Sequence, residues 1–178
     1  MTTVLTPNAN TATRRLCLTA VFAALTCAGT SVSVPLPFGY FNLGDIFVLC
    51  AAWMLGPLCG VGAAAVGSAL ADILMGFAIY APGTFLIKGG IALTAALLLP
   101  LLTKIIKNTT AVHLLAAICG EAVMVGGYFL YESVMLGYGA GAAASLPGNT
   151  LQAVCGVIGA VMLYRLLYAN RAVRRILG

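Results

Sequence analysis

The sequence predicts an all-α fold: an integral membrane bundle of six transmembrane helices with both termini cytoplasmic. Three observations carry this expectation. Apolar residues make up 62% of the 178-residue chain and charged residues only 7%, against roughly 25% charged in ordinary soluble domains; the mean hydropathy is +1.07. A helix needs about 20 apolar residues to cross, and after the tails and short loops the chain has room for six spans packed as one domain. Eight of the nine basic residues fall at helix ends or in tails, where positive-inside topology puts them.

Residues 1–13 are polar and read as a flexible cytoplasmic tail, and 14–178 as a single six-helix membrane domain. Arg14 and Arg15 ahead of an apolar run have the outline of a signal peptide, but five more apolar spans follow and the run fits a first membrane helix. Helix 1 is expected from Arg14 to Val34, where Pro35 and Pro37 stop it. The segment from Pro35 to Asn42 is then a structured external loop.

Helix 2 is expected to start near Asn42, a side chain able to cap its first turn, and to end at Gly56-Pro57, a turn dipeptide that lets helix 3 begin at once. Helix 3 runs to about Gly76. Pro82 suits the first turn of helix 4, which continues to about Lys104. Helix 5 covers about 111–137, close to 40 Å at 1.5 Å per residue, so it tilts or extends past the bilayer. A Gly/Ala loop precedes helix 6, from Pro147 to Tyr168.

Alternation of six helices brings Arg14 and Arg15, Lys104 and Lys107, and Arg165, Arg171, Arg174 and Arg175 to one side, the cytoplasmic one. The net charge of +5 is thereby explained without nucleic acid. The six cysteines all lie in apolar segments with no CxxC pair, and read as small core residues rather than disulfides or metal ligands.

Ionisable groups inside membrane spans are costly and face a bundle interior or a cavity. Here they concentrate in the outer half: Asp45 in the first turn of helix 2, Asp72 near the end of helix 3, Lys88 early in helix 4 and Glu132 late in helix 5. Asn149 and Gln152 share a face at the start of helix 6. Glu121 lies deeper, three turns from Glu132, so the two form a stripe with Tyr128.

These residues suggest an outward-facing pocket under the Pro35–Asn42 loop, with aromatic walls drawn from Phe38, Tyr40, Trp53, Tyr80, Tyr128 and Tyr131. The candidate substrate-binding set is Lys88, Glu132, Asn149, Gln152, Tyr128, Tyr131, Asp72, Asp45, Asn42 and Tyr40. Plainer roles compete with it. Asp45 with Asn42 equally suits the positive N-terminus of helix 2, Asp72 a solvated helix end, and Lys88 either snorkels outward or neutralises Glu132. Asn149 and Gln152 equally suit bonds across helices. His113 has no metal-ligand neighbours and receives no chemistry.

The chain has no GxxxxGK[ST] phosphate loop and no Ser-His or Cys-His catalytic set, so no catalytic residue, cofactor or metal is assigned. Uptake against a gradient would draw its energy from partners. A membrane-embedded enzyme using Glu121 and Glu132 as acid and base, and a solitary facilitator, remain as alternatives. Two rows of small residues, Ala20, Ala24 and Ala28 on helix 1 and Ala63, Gly67 and Ala71 on helix 3, form flat faces for close helix approach. The helix 3 row reads as internal packing; the helix 1 row serves either packing or a partner.

Asn42-Leu43-Gly44-Asp45, Leu55-Gly56-Pro57, Gly67 to Asp72, Tyr80-Ala81-Pro82, Ile87-Lys88-Gly89, Tyr131-Glu132 and Pro147 to Gln152 together resemble the substrate-binding S components of energy-coupling factor (ECF) transporters. The likeness spans nearly the whole chain and is to the branch associated with hydroxymethylpyrimidine, pyridoxine and related vitamins. It implies a multi-pass protein of the bacterial plasma membrane that captures a vitamin outside and topples to release it inside. Its partners would be a transmembrane coupling subunit, docked on the Ala20, Ala24 and Ala28 row, and two ATPase subunits. Members often carry Glu after Ile-Lys-Gly, where this chain has Gly90; that change leaves the vitamin open.

Overall fold

The computed structural model describes residues 9–36 and 39–177. Helix α1 (Ala9–Ser31) leads into an antiparallel hairpin, β1 (Ser33–Leu36) and β2 (Gly39–Asn42), and then α2 (Gly44–Leu74), α3 (Ala81–Ile105) and α4 (Thr109–Leu130). A π turn (Tyr131–Met135) extends α4, and a 3-10 segment (Gly139–Ser145) runs into α5 (Leu146–Ala169) and the short α6 (Arg171–Leu177). Four helical stretches are long and apolar enough to cross a membrane: Gly44–Leu74, Ala81–Ile105, Thr109–Met135 and Gly139–Ala169. Helix α1 falls outside that set, its apolar run diluted by two arginines, three threonines and a glycine between Arg14 and Thr30.

Gly56 breaks α2 with φ 77° and ψ −175°, a left-handed φ that suits glycine, and Pro57 follows with no N–H to lose. The chain reverses there. A Cβ on Gly60 would lie 2.7 Å from the carbonyl oxygen of Ala51, nine residues earlier, which a straight helix cannot allow. The two arms, 44–56 and 57–74, correspond to the second and third expected helices, so Asn42 and Asp72 return to the same end of the bundle.

Helix 1 stops earlier than the sequence suggested. Val32 leaves the helix and Val34 sits in β1, paired with Phe41, because β-branched side chains next to Pro35 favour extended backbone. At its other end α1 already begins at Ala9, within the stretch read as a tail.

Small residues let the helices approach closely. Ala51, Ala63, Ala64, Ala92, Ala95, Ala117 and Ala160 are wholly buried around Leu49, Ile91 and Met124. A Cβ on Gly67 would meet the Ala23 carbonyl oxygen at 2.4 Å, so the second arm of α2 rests on the backbone of α1. That contact uses the α1 face carrying Phe22, Thr26 and Thr30; Ala20, Ala24 and Ala28 are exposed on another face.

Candidate ligand-binding site

A cavity of about 290 Å³ opens at the end of the bundle away from the basic helix ends. The hairpin roofs it with Ser33, Tyr40 and Asn42, and α1 adds Thr30. The end of α2 and the following loop give Asp72, Met75, Phe77 and Tyr80; α3 gives Thr84 and α4 gives Tyr128. Glu132, Ser145, Asn149 and Gln152 close the remaining side. The rings of Tyr40 and Phe77 meet at 5.2 Å, so hairpin and loop touch over the chamber.

Local sequence explains each placement. Asn42 turns the chain into α2: its Oδ1 accepts from the Gly44 N–H at 3.0 Å, and Leu43 N–H donates to Gly29 O at 3.1 Å, tying the hairpin to α1. Glu132 lies on the π turn, where Leu136 N–H reaches Tyr131 O five residues back. The expected stripe of Glu121, Tyr128 and Glu132 divides by depth, Glu121 lying about two turns below Tyr128 on the regular part of α4. Tyr128 and Glu132 line the cavity. Glu121 is buried beside an apolar cleft between α4 and α5 with Val157 and Ile158, both carboxyl oxygens lacking a partner among the described residues.

Within the wall, Ser145 Oγ lies 2.5 Å from Glu132 Oε2, and Asn149 Nδ2 donates to Ser145 Oγ at 3.4 Å. Thr84 Oγ1 and Tyr128 OH are 3.0 Å apart. Two wall atoms, Asp72 Oδ2 and Thr30 Oγ1, are buried with no hydrogen-bond partner among the described residues. Tyr80 lies on the loop; burial, and then the neighbouring Glu132, hold its phenol above the usual range and keep it a neutral donor.

Lys88 and Asp45 lie below the cavity rather than in its wall. Lys88 Nζ donates to Asp45 Oδ1 in a buried ion pair, each side chain 1% exposed, and sits 3.4 Å from Met124 Sδ. The partner of Lys88 is thus Asp45, and not Glu132 as one reading of the sequence had it. Gln152 Nε2 donates to the other oxygen of Asp45 at 2.6 Å. Tyr131 stands behind the wall: its ring covers Gly83 and its hydroxyl donates to Ile79 O at 2.6 Å, bracing the loop that carries Tyr80. Trp53 is at the far end, 4.9 Å from the His113 ring and 5.5 Å from Tyr164, and does not wall the cavity. Phe38 lies outside the described residues.

The sequence reading omitted Thr30, Ser33, Met75, Phe77, Thr84 and Ser145. Thr84 carried a usable signal, one turn before Lys88 on the same face. The rest are hydroxyls and apolar residues of types common in any membrane helix or loop.

Residues 10–169 match the family model for the ECF-type riboflavin transporter S component. The chain belongs to that family. A protein of Pyrococcus woesei named only as an uncharacterized protein in a gap 3′ region is 38% identical over 137 residues, covering 76% of this chain and 88% of its own. The S component of a bacterial ECF transporter has the same fold, with a TM-score of 0.72 and 24% identity over 88% of this chain and 96% of that one. This S component is therefore a membrane transport protein and not an enzyme, which overturns the alternative that gave Glu121 and Glu132 acid–base roles. S components work with a membrane coupling subunit and ATPases.

Proposed function

We propose that the chain captures a neutral or cationic aromatic nitrogen heterocycle of the vitamin class, of the hydroxymethylpyrimidine or vitamin B6 type, from the outer face of a bacterial plasma membrane. The observation that carries this reading is the charge of the wall. Asp72 and Glu132 line the cavity while Lys88 is spent on Asp45 beneath it. An anionic ligand would meet two acids and no facing cation; ring amino and hydroxymethyl groups would meet acceptors. Tyr40, Phe77, Tyr80 and Tyr128 offer faces for a planar ring, while Asn149 and Asn42 add amides. A volume of about 290 Å³ is at the small end of ligand sites, which run roughly 300–1,000 Å³, and favours a single ring. Riboflavin is the second reading, favoured by the family's description.

In this proposal six helical rods, counting the arms of α2 separately, cross the bilayer with both termini inside, and delivery follows toppling driven by a coupling subunit and two ATPases. The Ala20, Ala24 and Ala28 face is the docking surface for the coupling subunit; its support is that all three side chains are exposed.

Mass spectrometry of small molecules released from purified protein, followed by titration with hydroxymethylpyrimidine, pyridoxine and riboflavin, tests the ligand. Submicromolar binding of a one-ring compound is expected. Riboflavin alone binding would replace the one-ring reading, and no binding by any of them would remove the vitamin class. Ala24→Trp is expected to keep ligand affinity and abolish co-purification with the coupling subunit; an intact complex would return that face to the lipid.

A further inference from the structure

Gln152 lines the cavity, yet both ends of its amide are engaged by the protein itself. Its Oε1 accepts from the backbone N–H of Asn42 at 3.1 Å, at the last residue of the roofing hairpin. Its Nε2 donates to Asp45 Oδ2 at 2.6 Å and lies 3.4 Å from Met124 Sδ. The side chain is 3% exposed. A carboxamide offers one acceptor oxygen and two donor hydrogens, and here oxygen and nitrogen are each committed.

We propose that Gln152 is a positioning residue: a latch that ties the hairpin over the cavity to the buried Asp45–Lys88 pair, rather than a direct ligand contact. The anchor is rigid for a stated reason. Asp45 is held by Lys88 on one oxygen and by Gln152 on the other, and such a pair cannot be opened without stranding a charge. The hairpin is the opposite case. It is two strands of four residues, too short to be stable alone, and its exposed Tyr40 and Val34 give it little burial of its own. Among the described residues three specific ties hold it: Leu43 N–H to Gly29 O, the Tyr40–Phe77 contact, and the Gln152–Asn42 bond. The last joins β2 to α5, against which the strand also packs. Releasing it lets the roof lift on the α5 side, where Asn149 and Glu132 lie.

This inference rests on the cavity being the vitamin site, but its test does not. Hydrogen exchange of the ligand-free protein, read at the Asn42 amide by NMR or fragment mass spectrometry, is compared between wild type and Gln152→Met, which keeps the length of the side chain and loses both amide groups. Exchange at Asn42 is expected to rise at least tenfold while the amides of α3 keep their protection. Gln152→Glu keeps the acceptor but replaces the donor to Asp45 by a second carboxylate, and is expected to raise exchange at Asn42 as well. Should the methionine variant not fold, Gln152→Leu repeats the measurement. Unchanged exchange at Asn42 in a folded variant overturns the latch, since a residue that only touches ligand would leave the empty protein unaltered. Loss of protection spread equally through α3 overturns it too, as general destabilisation. With whichever vitamin the wild type binds, the dissociation rate is expected to rise at least tenfold with association no slower. A wild type that binds none of the vitamins, with Asn42 still deprotected in the variant, would refute the vitamin reading and leave the latch standing.

Discussion

Two sets of buried polar groups meet in this S component, one forming the floor of the cavity and one its wall, and they differ in how fully they are satisfied. In the floor, both oxygens of Asp45 are bonded, by Lys88 and by Gln152, and Lys88 has Met124 as a further neighbour. In the wall, Asp72 Oδ2 and Thr30 Oγ1 have no partner among the described residues, and Glu132 has one neighbouring hydroxyl, Ser145. Thr84 of the wall and Lys88 of the floor are one turn apart on α3. Proximity therefore does not separate the sets; completeness sets the Asp45–Lys88–Gln152 cluster apart from the wall, while Glu121 beside Asp45 keeps two unpartnered oxygens among the described residues. A closed set stabilises the helix packing, and an open one has capacity left for a guest.

The largest expected effect falls on the floor. Lys88→Met strands the Asp45 carboxylate, and breaking a buried pair costs about 3–5 kcal/mol. A pronounced drop in the thermal midpoint of the purified protein is expected, measured by circular dichroism. Combining it with Asp45→Asn removes both charges and is expected to recover most of the loss. An unchanged midpoint in the single variant would mean that the floor is not closed in the way the Lys88–Asp45 geometry implies.

Wall substitutions are expected to do the reverse, lowering affinity while sparing the fold. Glu132→Gln and Asn149→Ala should each weaken ligand binding at least tenfold, about 1.4 kcal/mol, with thermal midpoints near wild type. Isothermal titration beside the same melting assay checks both. Wild-type affinity in both variants would remove them from the site and with them the proposed acid-lined edge.

The contrast between floor and wall was partly legible in the sequence. Helix ends and the reversal at Gly56-Pro57 could be read because proline and glycine act locally, and Asn42, Asp72, Glu132 and Asn149 could be grouped because alternating helices return them to one end. The partner of Lys88 could not. By position along their helices Asp45 and Glu132 both fall in the outer half, and the choice depends on how α2 and α4 are rotated against α3, which no single helix's spacing encodes. Trp53 is a different case, since the signal was present: it sits one turn before the Gly56-Pro57 reversal, at the end of its arm farthest from the cavity and beside His113. The hairpin was missed because Val32 and Val34 are compatible with either a membrane helix or a strand until Pro35 decides. Glu121 shares a face of α4 with Tyr128 but lies about two turns deeper, so the stripe that the spacing predicts runs on past the cavity.

The smallest expected effect tests the boundary between the two sets. Thr84 Oγ1 and Tyr128 OH bond at 3.0 Å in the wall, and the Tyr128 ring lies 5.6 Å above Lys88 Nζ, so this pair stands between cavity and floor. Thr84→Val keeps the branched shape and removes the hydroxyl. A hydrogen bond of this kind contributes about 0.5–1.5 kcal/mol net, and Tyr128 OH faces a cavity in which water or ligand can take over the lost bond. A two- to fivefold loss of ligand affinity with little change in thermal midpoint is therefore expected. A marked loss of stability instead would assign Thr84 and Tyr128 to the closed floor and move the boundary one turn outward. An affinity loss exceeding that of Glu132→Gln would shift the principal ligand contacts from the acid edge of the cavity to its hydroxyl edge.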